Sequence, residues 1–259
     1  MFDYLRNKYN QSPLFFLEDN LDKDYLYVKY TVAPYFVLPK TLDDYKALHK
    51  RKFWYNIRRS EKMFKSEFNN LNFEVVKDEK NLDFFLDQVF VLFNNRWNNK
   101  YTSSVWKSKK GFYKYKKAMF DLASSDNAFL AVLYDNDRKL LSYGYCLNQD
   151  NTIFFYQHST TLESNYRKYS LGKVLINYLL KYAIRNQYYK FDFMAGDSSY
   201  KHEWAKDTKI IYRSIGRKKI INYLKMYIVK SRYFFQFNYY SRRILKPIFK
   251  YLERVYAKS

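Results

Sequence analysis

The stretch NYRKYSLGKVL, residues 165 to 175, places three cations and one of the chain's five glycines directly before a long stretch of apolar residues at helical spacing. The first turn of a helix presents unpaired backbone N–H groups and a partial positive charge, so it suits phosphate. Arg167 and Lys168 would add charge, and Ser170 could cap the helix or bond a phosphate oxygen. Gly172 would leave room for a phosphate because it has no Cβ. The stretch therefore predicts a phosphate-binding turn or an ordinary helix start.

Asp192 lies in YKFDFMAGD, whose alternation is typical of a strand. The alternation turns Asp192 and Met194 to the same face. In a sheet that helices cover on both sides, an isolated carboxylate is costly. We therefore expect Asp192 to have a partner, such as Arg58 of an upstream helix, or to act as a general base.

The single cysteine and the three histidines argue against several other chemistries. Cys146 lies in the apolar run LLSYGYCLN, which excludes disulfides and cysteine zinc sites and favours a buried, inert thiol over a nucleophile. His49, His158 and His202 are far apart and show no ligand spacing, so we expect no metal.

Composition and charge limit the class of protein. The chain has 259 residues, of which 47% are hydrophobic, and this is enough for one large domain with an extension. Its net charge of +22 favours nucleic acid, anionic lipid or an anionic substrate as partner, although an AT-rich genome would also produce such a composition. No long uncharged apolar run or signal-peptide pattern occurs in the sequence, which predicts a cytoplasmic protein, with peripheral attachment to the inner membrane face as an option.

Helical and extended patterns alternate along the chain. Two short extended runs, interrupted by Pro34 and Pro39, precede a single long helix at residues 41 to 68, with Thr41 as its N-cap. From residue 72 the predicted order is β-α-α-β-β-β-α-β-α-β. This order places the cation-rich turn at a strand-to-helix connection.

The turn resembles the acyl-CoA signature of the GNAT superfamily of N-acetyltransferases, R-x-x-G-x-G-x-x-L. Arg167, Gly172 and Leu175 are in register with that signature, and Ser170 replaces its first glycine. The predicted order of strands and helices is also that of the superfamily.

A second block narrows the resemblance to one branch. The pattern FDF-x-x-GD-x-x-YK-x-x-W, with FWYNIRRSEKM at 53 to 63 and RW at 96 to 97, is similar to cellulose-biosynthesis-type acetyltransferases and, more distantly, to Fem-type aminoacyltransferases. The resemblance covers roughly residues 34 to 216. Larger members have a fuller N-terminal half than this chain.

The resemblance implies an α/β (α+β) fold with a central mixed, mostly antiparallel sheet flanked by helices. Residues 1–71 would be an N-terminal helical extension, the remnant of a first GNAT-like half. Residues 72–216 would be the acyltransferase domain, and residues 217–259 a C-terminal basic helical tail.

In this superfamily the fourth and fifth strands splay apart, and the pantetheine of coenzyme A lies between them like an added strand. The resemblance therefore implies acetyl-CoA or another acyl-CoA as substrate. The residues expected to bind it lie in the fourth strand and in the turn: Gln157, Ser159, Thr160, Arg167, Lys168, Tyr169, Ser170, Leu171, Gly172 and Lys173.

Direct attack on the thioester needs an acid for the leaving thiolate, and Tyr200 stands where superfamily members have a tyrosine. A phenol with a pKa of about 10 suits this role, although Tyr200 could also be a packed tyrosine. Lys201 could neutralise an oxyanion or a phosphate, or be solvated. His158, in the expected fourth strand, has the ordinary pKa of a general base, and a packing role is its alternative.

The acceptor side is expected to involve Arg58, Arg96, Trp97 and Tyr156, with a core role as the alternative for Trp97. The resemblance predicts transfer of an acyl group to an amine or hydroxyl of a sugar, a glycan precursor or another polar acceptor. Two other classes stay open, namely a Fem-like transferase that uses aminoacyl-tRNA and a non-catalytic protein that binds anionic surfaces.

The C-terminal tail is the second informative region. Residues 217–259 hold 12 Lys or Arg and one acid, interleaved with aromatic residues at near-helical spacing. Such segments lie on anionic membrane surfaces, so we expect residues 220–259 to attach the protein there. Binding of tRNA and packing on the protein itself are the alternatives.

Overall fold

The structure is a computed structural model that describes residues 15–16, 25–97 and 108–216, with side chains for 31–97 and 108–212. The predicted tail at 217–259 lies outside these residues. The strands are β1 (Phe15–Phe16), β2 (Tyr25–Val37), β3 (Asn72–Val76), β4 (Ala128–Tyr134), β5 (Leu140–Gln149), β6 (Thr152–Thr160), β7 (Lys190–Asp192) and β8 (Asp207–Gly216). The helices are α1 (Leu42–Ala47), α2 (Arg51–Phe68), α3 (Glu79–Trp97), α4 (Lys109–Ala123), α5 (Leu171–Arg185) and α6 (Ser199–His202), and a 3-10 helix (Ser164–Tyr169) precedes α5.

The chain divides into two compact units. The first contains Pro34–Met194 and Tyr200–Asp207 and holds the sheet order β2-β7-β6-β5-β4-β3. Strands β6 and β7 are parallel in it, and its other pairs are antiparallel. The second contains β1, the start of β2 and most of β8, in the order β1-β8-β2.

Helices cover both faces of the sheet in the first unit. One core cluster joins α1, α2 and α5 to the sheet through residues such as Trp54, Phe64 and Leu179. The other joins α3 and α4 to it through residues such as Phe85 and Met119. This mixed, mostly antiparallel sheet with flanking helices confirms the predicted fold class, and the order of elements from residue 72 is the predicted one.

Two local predictions in the N-terminal part were wrong. Strand β2 continues through Pro34, because Pro34 lies beyond the last pair with β7, Tyr35 with Asp192, and uses only its carbonyl, which accepts from Phe193 N at 3.0 Å. The predicted single helix is two helices. The extended backbone of Lys50 (φ −60°, ψ 151°) separates α1 from α2, while Thr41 caps α1 as predicted.

Candidate functional site

Strands β6 and β7 run side by side for three residues and then separate. Thr152–Phe154 pair with Lys190–Asp192, after which β7 ends and β6 continues to Thr160 on β5. Thr161 N donates to Leu141 O of β5 at 2.8 Å. Because backbone groups alternate in direction along a strand, those of His158 and Thr160 point away from β5. The backbone edge of β6 thus opens into a wedge where β7 has ended.

A β-bulge precedes this open edge. Tyr145 pairs with Gln157 and Cys146 pairs with Phe155, so Tyr156 is the extra residue of β6. A bulge changes the direction in which the following groups point. Tyr156 packs against the α3–α4 side, where its hydroxyl donates to that of Tyr115 at 3.4 Å.

His158 and Tyr200 form a hydrogen-bonded pair in the wedge, with 2.9 Å between the phenol oxygen and Nε2. The Phe155 ring stacks on the His158 imidazole at 4.7 Å and 18°. Gly144 lies opposite His158 on β5, and a Cβ there would lie 2.3 Å from Cε2 of Phe155. The Phe155 ring therefore supports the His158–Tyr200 pair, and its position requires a glycine at residue 144.

Burial, and after it the positive charges of Arg96 and Lys201, lowers the pKa of His158 to about 3. The imidazole is therefore neutral near pH 7, and it is a much weaker base than an ordinary histidine. Burial raises the pKa of the Tyr200 phenol above its usual range, with Arg96 opposing the rise. Tyr200 therefore keeps its proton near pH 7, so the phenol can act as a proton donor but not as a base.

Lys201 and Asp192 meet at Met194, directly after β7. Lys201 is 5% exposed, and its Nζ donates to Met194 O at 3.0 Å, so the solvated alternative for this lysine was wrong. Asp192 is fully buried, and its Oδ1 accepts from Met194 N at 2.8 Å. Met194 has a left-handed backbone (φ 59°). The two side chains therefore hold the turn that takes the chain away from β6. We call His158, Asp192, Tyr200 and Lys201 the inner cluster.

Arg58 is not the partner of Asp192. It lies on the exposed face of α2, close enough to Lys181 of α5 to repel its charge. The predicted pairing was wrong because helical periodicity turns Ile57 and Phe64 into the core and leaves Arg58 exposed to solvent.

The predicted phosphate turn is the connection between the 3-10 helix and α5. Ser170 has a left-handed backbone (φ 47°, ψ 42°), and its side chain makes no capping hydrogen bond. The predicted cap was wrong because an N-cap residue needs an extended backbone. The left-handed conformation also explains why the related signature has glycine at this position.

The cations of the turn are accessible to solvent, with Lys173 half-buried, and already have partners. Arg167 Nε donates to Leu162 O at 3.0 Å, Lys168 pairs with Glu67 at 2.8 Å, and Lys173 pairs with Glu203 at 2.5 Å. At a surface such pairs are weak, so an incoming phosphate could replace the carboxylates. Tyr169 and Leu171 are buried in the core, so their side chains support the turn from within.

Gly172 lies against β6. A Cβ there would be 3.0 Å from Thr160 Oγ1, which is itself 2.9 Å from Ser142 Oγ. The glycine therefore lets the start of α5 approach the open end of β6. Close packing is thus one reason for a glycine at residue 172, and the predicted reason, room for a phosphate, is compatible with it.

The α3–α4 side of the wedge contains two residues that the sequence did not single out as a pair. Tyr143 of β5 and Ser159 of β6 are register partners, and both are fully buried. Neither hydroxyl makes a well-formed hydrogen bond to a described residue, although Gln157 lies near the Tyr143 phenol. Buried hydroxyls without partners are costly, so these two are candidate contacts for a bound polar group. Only the strand register reveals them. Ser142, the neighbour of Tyr143, donates to Ser159 O at 3.1 Å.

Arg96 reaches the open edge of β6 from α3. Its Nη1 donates to Thr160 O at 3.4 Å, and Trp97 packs on Phe93 with 6.2 Å between ring centroids. Gln157 Nε2 donates to His158 O at 3.4 Å. The structure thus brings Arg96, Gln157 and Thr160 to one edge with the inner cluster.

Cys146 is fully buried, and burial raises the pKa of its thiol well above the usual value, which makes it the inert thiol that was predicted. Within the described ranges, no helix has the length and apolar character needed to cross a membrane.

The family model of the acetyltransferase (GNAT) domain matches residues 51–202. The match covers more than half of the chain, which therefore belongs to this family. A domain of this type supports acyl transfer as the general activity. A search of curated proteins found no match.

Solved structures share the fold at low sequence identity. FemX has a TM-score of 0.51 and 12% identity, over 82% of this chain and 68% of that one. L-PGS from Bacillus licheniformis has a TM-score of 0.50 and 10% identity, over 80% of this chain and 67% of that one. A conserved protein from Bacteroides thetaiotaomicron has a TM-score of 0.50 and 12% identity, over 76% and 64%. The chain spans about two thirds of the length of these structures, and the likeness concerns the fold alone.

Proposed function

We propose that the protein transfers an acyl group, in the simplest case acetyl, from acyl-coenzyme A to an amine or hydroxyl of a polar acceptor such as a sugar or glycan precursor. The observation that carries the proposal is the open backbone edge of β6 beside the His158–Tyr200 pair. The edge suits an extended amide-containing chain, and the pair lies where a thioester at the end of that chain would react.

The donor would occupy the wedge and the turn. The backbone groups of His158 and Thr160 would bond the amides of pantetheine, as a neighbouring strand would. The pyrophosphate would lie at the start of α5, over Gly172, where the helix dipole favours negative charge. Arg167 and Lys168 would then exchange their present partners for phosphate oxygens.

The reaction would be a direct attack on the thioester carbonyl. The nucleophile forms its bond to the carbonyl carbon and loses a proton, and the C–S bond breaks with its electron pair on sulfur. Tyr200 gives its proton to the thiolate, and the proton lost by the nucleophile restores the phenol. In its Nε2–H tautomer, neutral His158 donates to the Tyr200 oxygen and stabilises the charge that develops there.

The acceptor would enter from the α3–α4 side. Arg96 reaches the open edge from that side, and Trp97 follows it in α3. The hydroxyls of Tyr143 and Ser159 would bond a polar acceptor that supplies the partners they need. These four residues favour an acceptor rich in hydroxyl or amide groups over an apolar one.

The fold likeness to FemX favours one other function, a Fem-like transfer from aminoacyl-tRNA. The signature at the turn argues for coenzyme A, because an aminoacyl ester of tRNA has no pyrophosphate to place there. Titration calorimetry with coenzyme A, acetyl-CoA and bulk tRNA distinguishes the two.

We expect coenzyme A and acetyl-CoA to bind and bulk tRNA to bind weakly or not at all. Acetyl-CoA should then release free thiol when polar acceptors are supplied. Binding of tRNA without binding of coenzyme A would replace the proposal by the Fem-like one. Binding of neither would leave a non-catalytic protein.

A further inference from the structure

The outer face of α2 is strongly basic. Trp54, Ile57 and Phe64 are buried on its inner face. The cations of the opposite face are all exposed: Arg51, Lys52, Arg58, Arg59 and Lys62. Tyr55 projects from the middle of them with 56% of its surface exposed. The helix therefore presents a row of positive charge around one aromatic ring.

The neighbouring helix α5 widens this row. Its Lys181 and Arg185 lie beside α2, and the pKa of Lys181 is lowered, chiefly by burial and then by the charges of Arg185, Lys46 and Arg58, although Glu61 opposes this. Lys181 and Arg185 thus lie within electrostatic reach of the cations of α2. We call Arg51, Lys52, Tyr55, Arg58, Arg59, Lys62, Lys181 and Arg185 the basic face.

The carboxylates nearby are already occupied. Glu61 pairs with Lys65 at 2.8 Å and accepts from Tyr178, and Glu67 pairs with Lys168. Asp43 pairs with Lys46. Over the part of the chain that the structure describes, none of the seven cations of the basic face pairs with a carboxylate. The face is therefore complementary to an external anionic partner.

We propose that the basic face docks the protein on an anionic phospholipid membrane. Helix α2 runs for about 27 Å at 1.5 Å per residue, and packed helices lie roughly 8–10 Å apart, so the cations form a broad array. All cations of a broad array can contact a flat membrane surface at once, whereas the phosphate backbone of a nucleic acid would contact only one row of them. Tyrosine prefers the headgroup level of a membrane, which suits the central position of Tyr55. The observations therefore favour a membrane over a nucleic acid.

The inference rests on described residues of the first unit alone. It depends neither on the acyl-CoA proposal nor on the basic tail at 217–259, which would be unchanged in every variant below.

The test uses the full chain and compares two triple variants of equal charge. One replaces Arg51, Arg59 and Lys62 of the basic face by Gln, and the control replaces Lys109, Lys114 and Lys117 of α4, which are also exposed. Binding is measured by co-sedimentation with phosphatidylcholine vesicles, with and without phosphatidylglycerol, at low and high salt. A duplex RNA is titrated in parallel.

We expect the basic-face variant to lose about tenfold or more in affinity for the anionic vesicles, since each cation at such a surface contributes about fivefold. The control should lose much less, and high salt or neutral lipid should abolish binding of all three proteins. Equal losses in the two variants would mean that net charge alone acts, and absence of vesicle binding would also overturn the proposal. Loss of RNA binding with vesicle binding retained would assign the face to nucleic acid instead. Unfolding temperatures close to that of the wild type would show that the variants are folded.

Discussion

The inner cluster and the cation-rich turn lie at the same wedge but are built in opposite ways. In the inner cluster, His158 bonds Tyr200, and Lys201 and Asp192 both bond the backbone of Met194. At the turn, Lys168 and Lys173 are exposed and form ion pairs at the surface. One region thus has fixed partners away from water, and the other has partners that water and ions can replace.

The two regions are therefore suited to different steps of acyl transfer, namely proton transfer and ligand binding. Burial keeps His158 neutral and Tyr200 protonated near pH 7, and their hydrogen bond fixes the geometry of the pair. Because the turn is accessible to solvent, its cations can exchange their carboxylate partners for the phosphates of a ligand. A change in the inner cluster should therefore affect turnover, whereas a change at the turn should affect affinity.

The largest effect is expected at Tyr200. Replacement by Phe removes the proton donor, so kcat should fall by about 100-fold or more while the affinity for acyl-CoA changes little. Tyr178→Phe is the matched control, because it removes a phenol bonded to Glu61 between α2 and α5, away from the wedge. Thiol release with a responsive acceptor measures both variants. Unchanged turnover in Tyr200→Phe would remove this residue from the mechanism.

A smaller effect, on affinity, is expected at Gly172. A methyl group there would meet Thr160 Oγ1 at 3.0 Å and occupy the path of the pyrophosphate, so Gly172→Ala should weaken coenzyme A binding by about tenfold in calorimetry.

The double variant Gly172→Ala, Thr160→Ala separates the two causes of this loss, which are the contact with Thr160 and the obstruction of the pyrophosphate. It removes the contact with Oγ1 but keeps the methyl group in the ligand's path. We expect the loss of affinity to persist relative to Thr160→Ala alone. Full recovery would show that Gly172 serves packing only, and the predicted phosphate site would then lie elsewhere.

The third effect concerns stability and pH. The pKa of His158 is lowered to about 3 in the folded protein, below the usual 6.5, so the unfolded chain binds a proton first as the pH falls. The free energy of unfolding should therefore fall as the pH drops from about 6.5 towards 3, and His158 should account for a loss of roughly 1–2 kcal/mol by pH 5. Urea unfolding of His158→Gln should show a shallower acid slope than the wild type. His202→Gln, at an exposed position, is the control, and an unchanged slope in His158→Gln would contradict the assignment.

The smallest effect is expected at Ser170. Its left-handed backbone is unfavourable for serine and free of strain for glycine, so Ser170→Gly should stabilise the protein by roughly 0.5–1 kcal/mol. Ser164→Gly, in the preceding 3-10 helix, should destabilise it, because glycine adds freedom to the unfolded chain alone. Thermal unfolding measures both, and a destabilised Ser170→Gly would mean that the serine hydroxyl has a structural task.

Periodicity predicted most of the fold because it reports which faces are buried. The apolar runs of β4 to β6 at hairpin spacing and the helical spacing of α5 predicted these elements in their observed order. Pro34 and the helix break at Lys50 were misjudged for two different reasons. A proline is tolerated in a strand where its missing N–H is not needed, and a helix can stop without Gly or Pro when an indole, here that of Trp54, bonds its last turn at Lys46 O.

The candidate site was predictable residue by residue but not as pairs. His158 and Tyr200 are 42 residues apart, and no local pattern shows that their rings meet. The sequence predicted Ser159 as a site residue but not its pairing with Tyr143, because the bulge at Tyr156 shifts the register that brings the two together. The exposure of Arg58, by contrast, could have been predicted from the helical spacing of Trp54, Ile57 and Phe64, which shows which side of α2 is covered, although Arg58 was expected to pair with Asp192.

Gly144 carries no group that can react, yet the plane of the His158 imidazole depends on it. The Phe155 ring fills the volume that a methyl group on residue 144 would need, and the imidazole rests on that ring. Any larger residue at 144 would move the ring and tilt the imidazole above it. The hydrogen bond between the imidazole and Tyr200 would then change direction. The substitution would alter neither charge nor polarity, and residue 144 touches no reacting atom.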